Sequence, residues 1–329
     1  AGPTVTAIAR IELLAEIGLA FLLFTLGVEL SFKGLRPVRR IAVLGTLLQM
    51  FLCILYGMGM GLFFGWSWPA AIWLGILLSL SSVLPTLNTL RQLHLGETTV
   101  GRIVSGFVTM QNLWVVPFIL LLYEVSQVSE RRIGLGLALL EGVMLLTILF
   151  CVGLWVVPKL VSLLRAQSSE LQLLVVLGSI ILAGVATHWY GLPFVFVAFA
   201  LALSLSEAES LQPPLKHLLS WRDFFGVFFF VAAGMLLNLP AITANVHFLL
   251  LLVTFALVGK GLLFVLIVRW FGYPQPHAWV VALLLSPVSE LSLMLGYLGR
   301  QGKVFDEVQY ALITGSILLT LLFAAILPR

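Results

Sequence analysis

Runs of about twenty apolar residues recur along the whole chain, separated by short polar stretches that carry most of the charge, and this decides the solvent before it decides the fold. A helix needs about 20 apolar residues to cross a hydrocarbon layer of about 30 Å. Eleven such spans are read, at about 11–32, 41–64, 69–90, 101–123, 134–157, 171–187, 191–206, 223–239, 246–269, 277–298 and 308–327. Of the 329 residues, 61% are hydrophobic and 10% charged, against about 25% charged in an ordinary soluble domain. The mean hydropathy is +1.12. Backbone polar groups inside lipid must be paired, so the spans are predicted to be helices, and the alternating pattern of a barrel is absent. The expected fold class is an all-α polytopic membrane protein, with residues 1–329 as a single transmembrane domain.

Several function classes fall away. Cys53 and Cys151 both lie in apolar stretches and read as buried residues, not as a disulfide or metal pair. No Cys/His tetrad and no glycine-rich phosphate loop occurs, so no metal, no cofactor and no enzyme chemistry is expected. The net charge of +4 is spread over loops, which argues against nucleic acid as a partner. No signal peptide is read, and the start at Ala1 together with the end at Pro328-Arg329 reads as a fragment or a processed form.

Lys and Arg set the expected orientation. Twelve fall on one side: Lys33, Arg36, Arg39, Arg40, Arg91, Arg102, Lys159, Arg165, Lys216, Arg222, Arg269 and Arg329. Five fall on the other: Arg10, Arg131, Arg132, Arg300 and Lys303. The first loop is therefore expected to be cytoplasmic.

Two spans read as interrupted. The third contains Leu80-Ser81-Ser82-Val83-Leu84-Pro85 and the tenth Ser286-Pro287-Val288-Ser289-Glu290. Proline removes a donor and clashes with the preceding turn, while serine can satisfy the freed groups. Each interrupted span lies between continuous ones, and the two triplets, about 41–123 and 246–327, run in opposite directions. That is the pattern of an inverted repeat with two crossed, discontinuous helices; two unrelated proline kinks are the plainer alternative.

Ionisable groups in lipid are costly and default to functional hypotheses. Lys260, amid Val258-Gly259 and Gly261-Leu262, has no easy route to the interface and is a candidate proton carrier. Its alternative is a lysine nearer the cytoplasmic end, held by a carbonyl. Glu290 adjoins the Pro287 break and either joins oxygen ligands around a cation or caps a half-helix. Glu29, four residues before Lys33, reads as an interfacial pair. Glu141 and His188 read as satisfied structural groups. Glu12 lies at the outer edge of the first span and Glu16 within it.

Leu14-Ala15-Glu16-Ile17-Gly18 with Leu26-Gly27-Val28-Glu29-Leu30, then Leu80-Ser81-Ser82, Gly101-Arg102, Gln111-Asn112-Leu113 with Val115-Val116-Pro117, Gly234-Met235, Gly259-Lys260 and Ser289-Glu290-Leu291 occur in this order. Together they resemble the monovalent cation:proton antiporters, nearest the branch of the bacterial potassium-efflux systems. A bile-acid-type symporter shares crossed broken helices, but Gln111-Asn112 opposite Lys260 favours the antiporter branch.

The resemblance implies antiport of Na⁺ or K⁺ against H⁺ by an elevator movement. It also implies a homodimer in the bacterial inner membrane, and a sodium/proton antiporter fold lacking its first two helices. Residues 11–32 and 171–239 take the dimerisation or scaffold part. The implied ion and proton site is Gln111, Asn112, Ser81, Ser82, Lys260 and Glu290, beside the broken-helix prolines Pro85 and Pro287. Two departures matter. Asn112 stands where the family carries an aspartate, and Val83 where it carries a threonine. Asparagine offers an oxygen but cannot titrate, which leaves the proton to Lys260 or Glu290. It also motivates two rivals, a non-transporting regulator or sensor and an uncoupled ion conduit.

Overall fold

The computed structural model describes residues 17–28 apart from 23 and 26, then 33–126, 134–163, 169–188, 194–206, 222–235 and 237–326. Every extended element among them is a helix. The described residues between 17 and 28 are helical and are labelled α1. Helix α2 is Ile41–Phe63, α3 Trp68–Ser79, α4 Leu84–Gln92 and α5 Thr99–Ser126. Helix α6 runs from Leu135–Cys151 through a π turn, Val152–Val156, into Val157–Leu163. Then come α7 Ser169–His188, α8 Phe194–Leu205, α9 Arg222–Met235, α10 Leu239–Ala244, α11 Val246–Trp270, α12 Gln275–Leu285, α13 Leu291–Gln301 and α14 Glu307–Ile326.

Among the described residues four stretches are long and apolar enough to cross a membrane: α2, Leu139–Leu163 of α6, α11 and α14. Their outward faces carry large apolar side chains, such as Phe51 at 58% exposed and Leu266 at 64%. Apolar surface on that scale belongs against lipid.

The chain groups into two compact units. One comprises residues 1–33, 115–121 and 133–236, the other residues 34–114, 122–132 and 237–329. In the first, Phe21 of α1 stacks on Phe225 of α9 with centroids 4.2 Å apart. Gly27 lies against Ala202 and the Phe199 carbonyl of α8.

The second unit holds both interrupted spans, and each is two helices. Residues 69–90 resolve into α3 and α4, and residues 277–298 into α12 and α13. Helix α2 approaches α3 backbone to backbone: a Cβ at Gly57 would meet Gly75, and one at Gly75 would run into the Ile54 carbonyl. Small residues let helices approach this closely where lipid supplies no hydrophobic drive.

The two breaks pair with each other. Ser81 and Val288 form an antiparallel bridge. Ser82 N–H donates to the Pro287 carbonyl, and Ser289 N–H to the Leu80 carbonyl, each at 3.2 Å. These bonds exchange under a two-fold operation that relates positions 207 residues apart, the separation of Val83 and Glu290. The same offset carries Phe64-Gly65 onto Phe271-Gly272, Pro69 onto Pro276, Leu78-Ser79 onto Leu285-Ser286 and Ser82 onto Ser289. Gly65 and Gly272 both turn the chain at positive φ, 75° and 87°, which a Cβ disfavours. Side chains repeat the relation. Thr86 hydroxyl donates to the Leu284 carbonyl at 2.8 Å, and Ser292 hydroxyl to the equivalent Leu77 carbonyl at 2.7 Å, the donors standing one position out of register. Ser81 N–H is received by Gln111 of α5 at 2.9 Å, and Val288 N–H by Thr320 of α14 at 3.2 Å. The inverted repeat is thus present in the hydrogen bonds as well as in the helix order.

Candidate functional site

Breaking two helices inside the fold leaves four helix ends there, two with free carbonyls and two with free N–H groups. The carbonyl ends belong to α3, capped by Leu80, and α12, capped by Ser286. The N–H ends belong to α4, capped by Val83, and α13, capped by Glu290. Helix dipoles place partial negative charge at the first pair and partial positive charge at the second.

A lysine side chain lies at the carbonyl ends and a glutamate side chain at the N–H end of α4. Lys260 Nζ donates to the Leu80 carbonyl at 2.6 Å and the Pro287 carbonyl at 3.2 Å. The Glu290 carboxylate accepts from Ser82 Oγ at 2.8 Å and from the N–H groups of Val83 and Leu84, each at 3.2 Å. Their exposures are 1% and 0%, and among the residues whose side chains are described no other Asp, Glu, Lys, Arg or His is buried. No described carboxylate lies in ion-pair contact with Lys260. The hydrogen-bond partners of its Nζ are these two backbone carbonyls.

Local structure aims Lys260. A π turn, Phe255–Gly259, ends immediately before it and resets the face that α11 presents. The Phe255 carbonyl accepts from Tyr56 Oη at 3.1 Å, and a Cβ at Gly259 would collide with that hydroxyl. Glycine before Lys260 therefore lets α2 and α11 meet.

Two amides form a relay on the other side of the first break. Ser81 N–H donates to Gln111 Oε1, Gln111 Nε2 donates to Gln49 Oε1 at 2.7 Å, and Gln49 Nε2 donates to the Ser79 carbonyl at 3.0 Å and Cys53 Sγ at 3.1 Å. Residues 79 and 81 are so tied to α2 and α5. Three buried groups, one in the first break and two on α5, remain without a hydrogen-bond partner: the Ser81 hydroxyl, the Thr109 hydroxyl and the whole Asn112 amide, which is 1% exposed. Thr109 and Asn112 are three apart on α5 and share a face. An unsatisfied buried amide is costly, and it offers one oxygen to a ligand.

Ser81, Ser82, Gln111, Lys260, Glu290 and Pro287 therefore meet at the crossing. Pro85 does not sit in the break. It occupies the first turn of α4, where its missing N–H has no helical partner to lose. Glu141 and His188 belong to α6 and α7 in the other unit. Glu12, Glu16 and Glu29 lie outside the described residues, as do the ends of the first motif. Sequence reasoning passed over Gln49, Thr320, Thr86 and Ser292. Weighing uncharged polar residues inside apolar spans, and not ionisable ones alone, would have raised Gln49.

A family profile described as sodium/hydrogen exchanger, transmembrane, matches residues 2–328. The chain is 28% identical over 324 residues to the putative cation/proton antiporter YbaL of Escherichia coli K12, covering 95% of this chain and 58% of that protein. It is 28% identical over 329 residues to K(+) efflux antiporter 4 of Arabidopsis thaliana, covering 98% and 56%. It thus spans somewhat over half the length of these relatives. The sodium proton antiporter MjNhaP1 of Methanocaldococcus jannaschii matches it in structure with a TM-score of 0.77, over 99% of this chain and 85% of that one, at 15% identity, which shows a shared fold.

Proposed function

The chain belongs to the sodium/hydrogen exchanger family, and from that premise we propose that it exchanges Na⁺ or K⁺ for H⁺ by alternating access, with Lys260 as the group that trades the proton. The observation that carries this reading is the lysine's setting: a buried ammonium held by the Leu80 and Pro287 carbonyls with no described carboxylate beside it. Backbone carbonyls that suit an ammonium also suit a dehydrated alkali cation. A cation arriving as the lysine loses its proton takes those oxygens, joined by Asn112 Oδ1 and Ser81 Oγ, both left without other partners. The charge at the carbonyl ends then stays at plus one in both states.

Glu290 serves this exchange indirectly. It holds the N–H end of α4 through Val83 and Leu84 while Lys260 exchanges at the carbonyl ends. In this reading residues 41–123 and 246–327 move as the transporting core, and residues 11–32 and 171–239 supply the scaffold and a homodimer contact. The membrane is a bacterial inner membrane, with the loop after the first span in the cytoplasm.

Asn112 supports a second reading, a non-transporting homologue that binds a cation and regulates or senses, because the residue cannot titrate. Flux in proteoliposomes separates the two. With a pH gradient imposed and a pH-sensitive dye inside, antiport predicts dissipation only on addition of Na⁺ or K⁺, abolished in Lys260→Ala. A silent wild type that gains flux on Asn112→Asp establishes the regulator reading instead.

A further inference from the structure

Residues 35–45 are helical throughout, and their buried and exposed positions separate cleanly. Leu35, Val38, Ile41 and Ala42 are at most 6% exposed, and Ala42 packs over Gly106 of α5. The opposite face carries Arg36, Pro37, Arg39, Arg40, Val43 and Leu44, all exposed, and these six line a groove of about 690 Å³. No described carboxylate pairs with any of the three guanidiniums.

The groove changes character along its length. Arg36, Arg39 and Arg40 precede the apolar helix Ile41–Phe63. Val43 and Leu44, 37% and 54% exposed, lie within it. At a rise of about 1.5 Å per residue, Arg40 and Leu44 are separated by about 6 Å along the axis. Positive charge therefore gives way to apolar surface within about one turn, where a membrane-long helix begins. A water-soluble anion has no use for the apolar half, and a neutral lipid none for three arginines. A guanidinium matches phosphate oxygens two at a time.

We propose that this groove holds the headgroup phosphate of an anionic phospholipid, with its acyl chains laid along Val43 and Leu44. None of its six lining residues is among those that meet at the crossing, and its test requires no transport.

The full protein in neutral detergent is titrated with dioleoylphosphatidylglycerol or dioleoylphosphatidylcholine, and retained lipid is counted by native mass spectrometry. The anionic lipid binds the wild type selectively. Each basic residue near an anionic surface is worth about a fivefold change in affinity, so R36Q/R39Q/R40Q loses about a hundredfold. R300Q/K303Q, which removes charge at the other predicted membrane face, loses none. Should the triple variant fail to fold, the single variants each lose about fivefold. The proposal is overturned if the arginine variants retain the anionic lipid as the wild type does, or if both lipids bind alike. It is equally overturned if glycerol 3-phosphate displaces the lipid at matched concentration, which marks a soluble-anion site.

Discussion

Replacing Glu290 separates a structural clamp from an ion ligand. In Glu290→Ala the N–H groups of Val83 and Leu84 lose their acceptor in a site that is fully buried. Each buried group left unpaired costs about 1–3 kcal/mol. Ser82 loses its partner too, but a hydroxyl can rotate to another acceptor. With the loss of packing added, Glu290→Ala is expected to destabilise the fold by about 3–5 kcal/mol. Glu290→Gln keeps an oxygen facing both N–H groups and nearly the same shape. It gives up the charge-assisted part of the bonds, and is expected to cost about 1 kcal/mol. Reversible unfolding in mixed detergent and SDS micelles measures both. The reasoning fails if the two variants are equally destabilised, because the charge and not the acceptor then matters. It fails as well if neither loses more than about 0.5 kcal/mol, which is the range of an ordinary surface substitution.

Three further outcomes follow from the packing and the site. Gly75→Leu drives a side chain into the Ile54 backbone of α2, and is expected to cost about 3 kcal/mol or more in the same assay, with Gly59→Leu, which faces open space, close to neutral. Gln49→Leu strands the Ser79 carbonyl and the Gln111 amide and costs about 1–3 kcal/mol; the double variant with Gln111→Leu costs less than the sum of the singles, because the two share one relay. If, as proposed, one proton leaves Lys260 for each cation bound, apparent cation affinity in wild type is expected to rise about tenfold per pH unit while Lys260 remains protonated, and cation-dependent thermal stabilisation at several pH values checks this slope.

Much of the fold was legible because lipid leaves a chain so few choices. Apolar runs located the described helices, most of their ends to within a few residues, and the Ser-Pro interruptions located both breaks. The 207-residue repeat was also present in the letters, in Phe64-Gly65 against Phe271-Gly272 and Ser79 against Ser286. Hydropathy alone hides it, since neighbouring spans are equally apolar. The site was legible only in part. Lys260 and Glu290 stood out because charge in lipid is costly. Their partners did not, because these are mostly backbone groups freed by the breaks, which almost any residue at Leu80, Val83 or Leu84 could provide. The two readings of Glu290 also could not be separated from the letters. Its bonds to two N–H groups favour the cap.

The central claim, that Lys260 yields its proton to the incoming cation, is tested most directly by counting protons on binding. Titration calorimetry with Na⁺ or K⁺, repeated in buffers of different ionisation enthalpy, gives that number without requiring a working transport cycle. The account predicts about one proton released per cation in wild type, and none in Lys260→Met. Cation binding that releases no proton in wild type, or the same number in Lys260→Met, contradicts it.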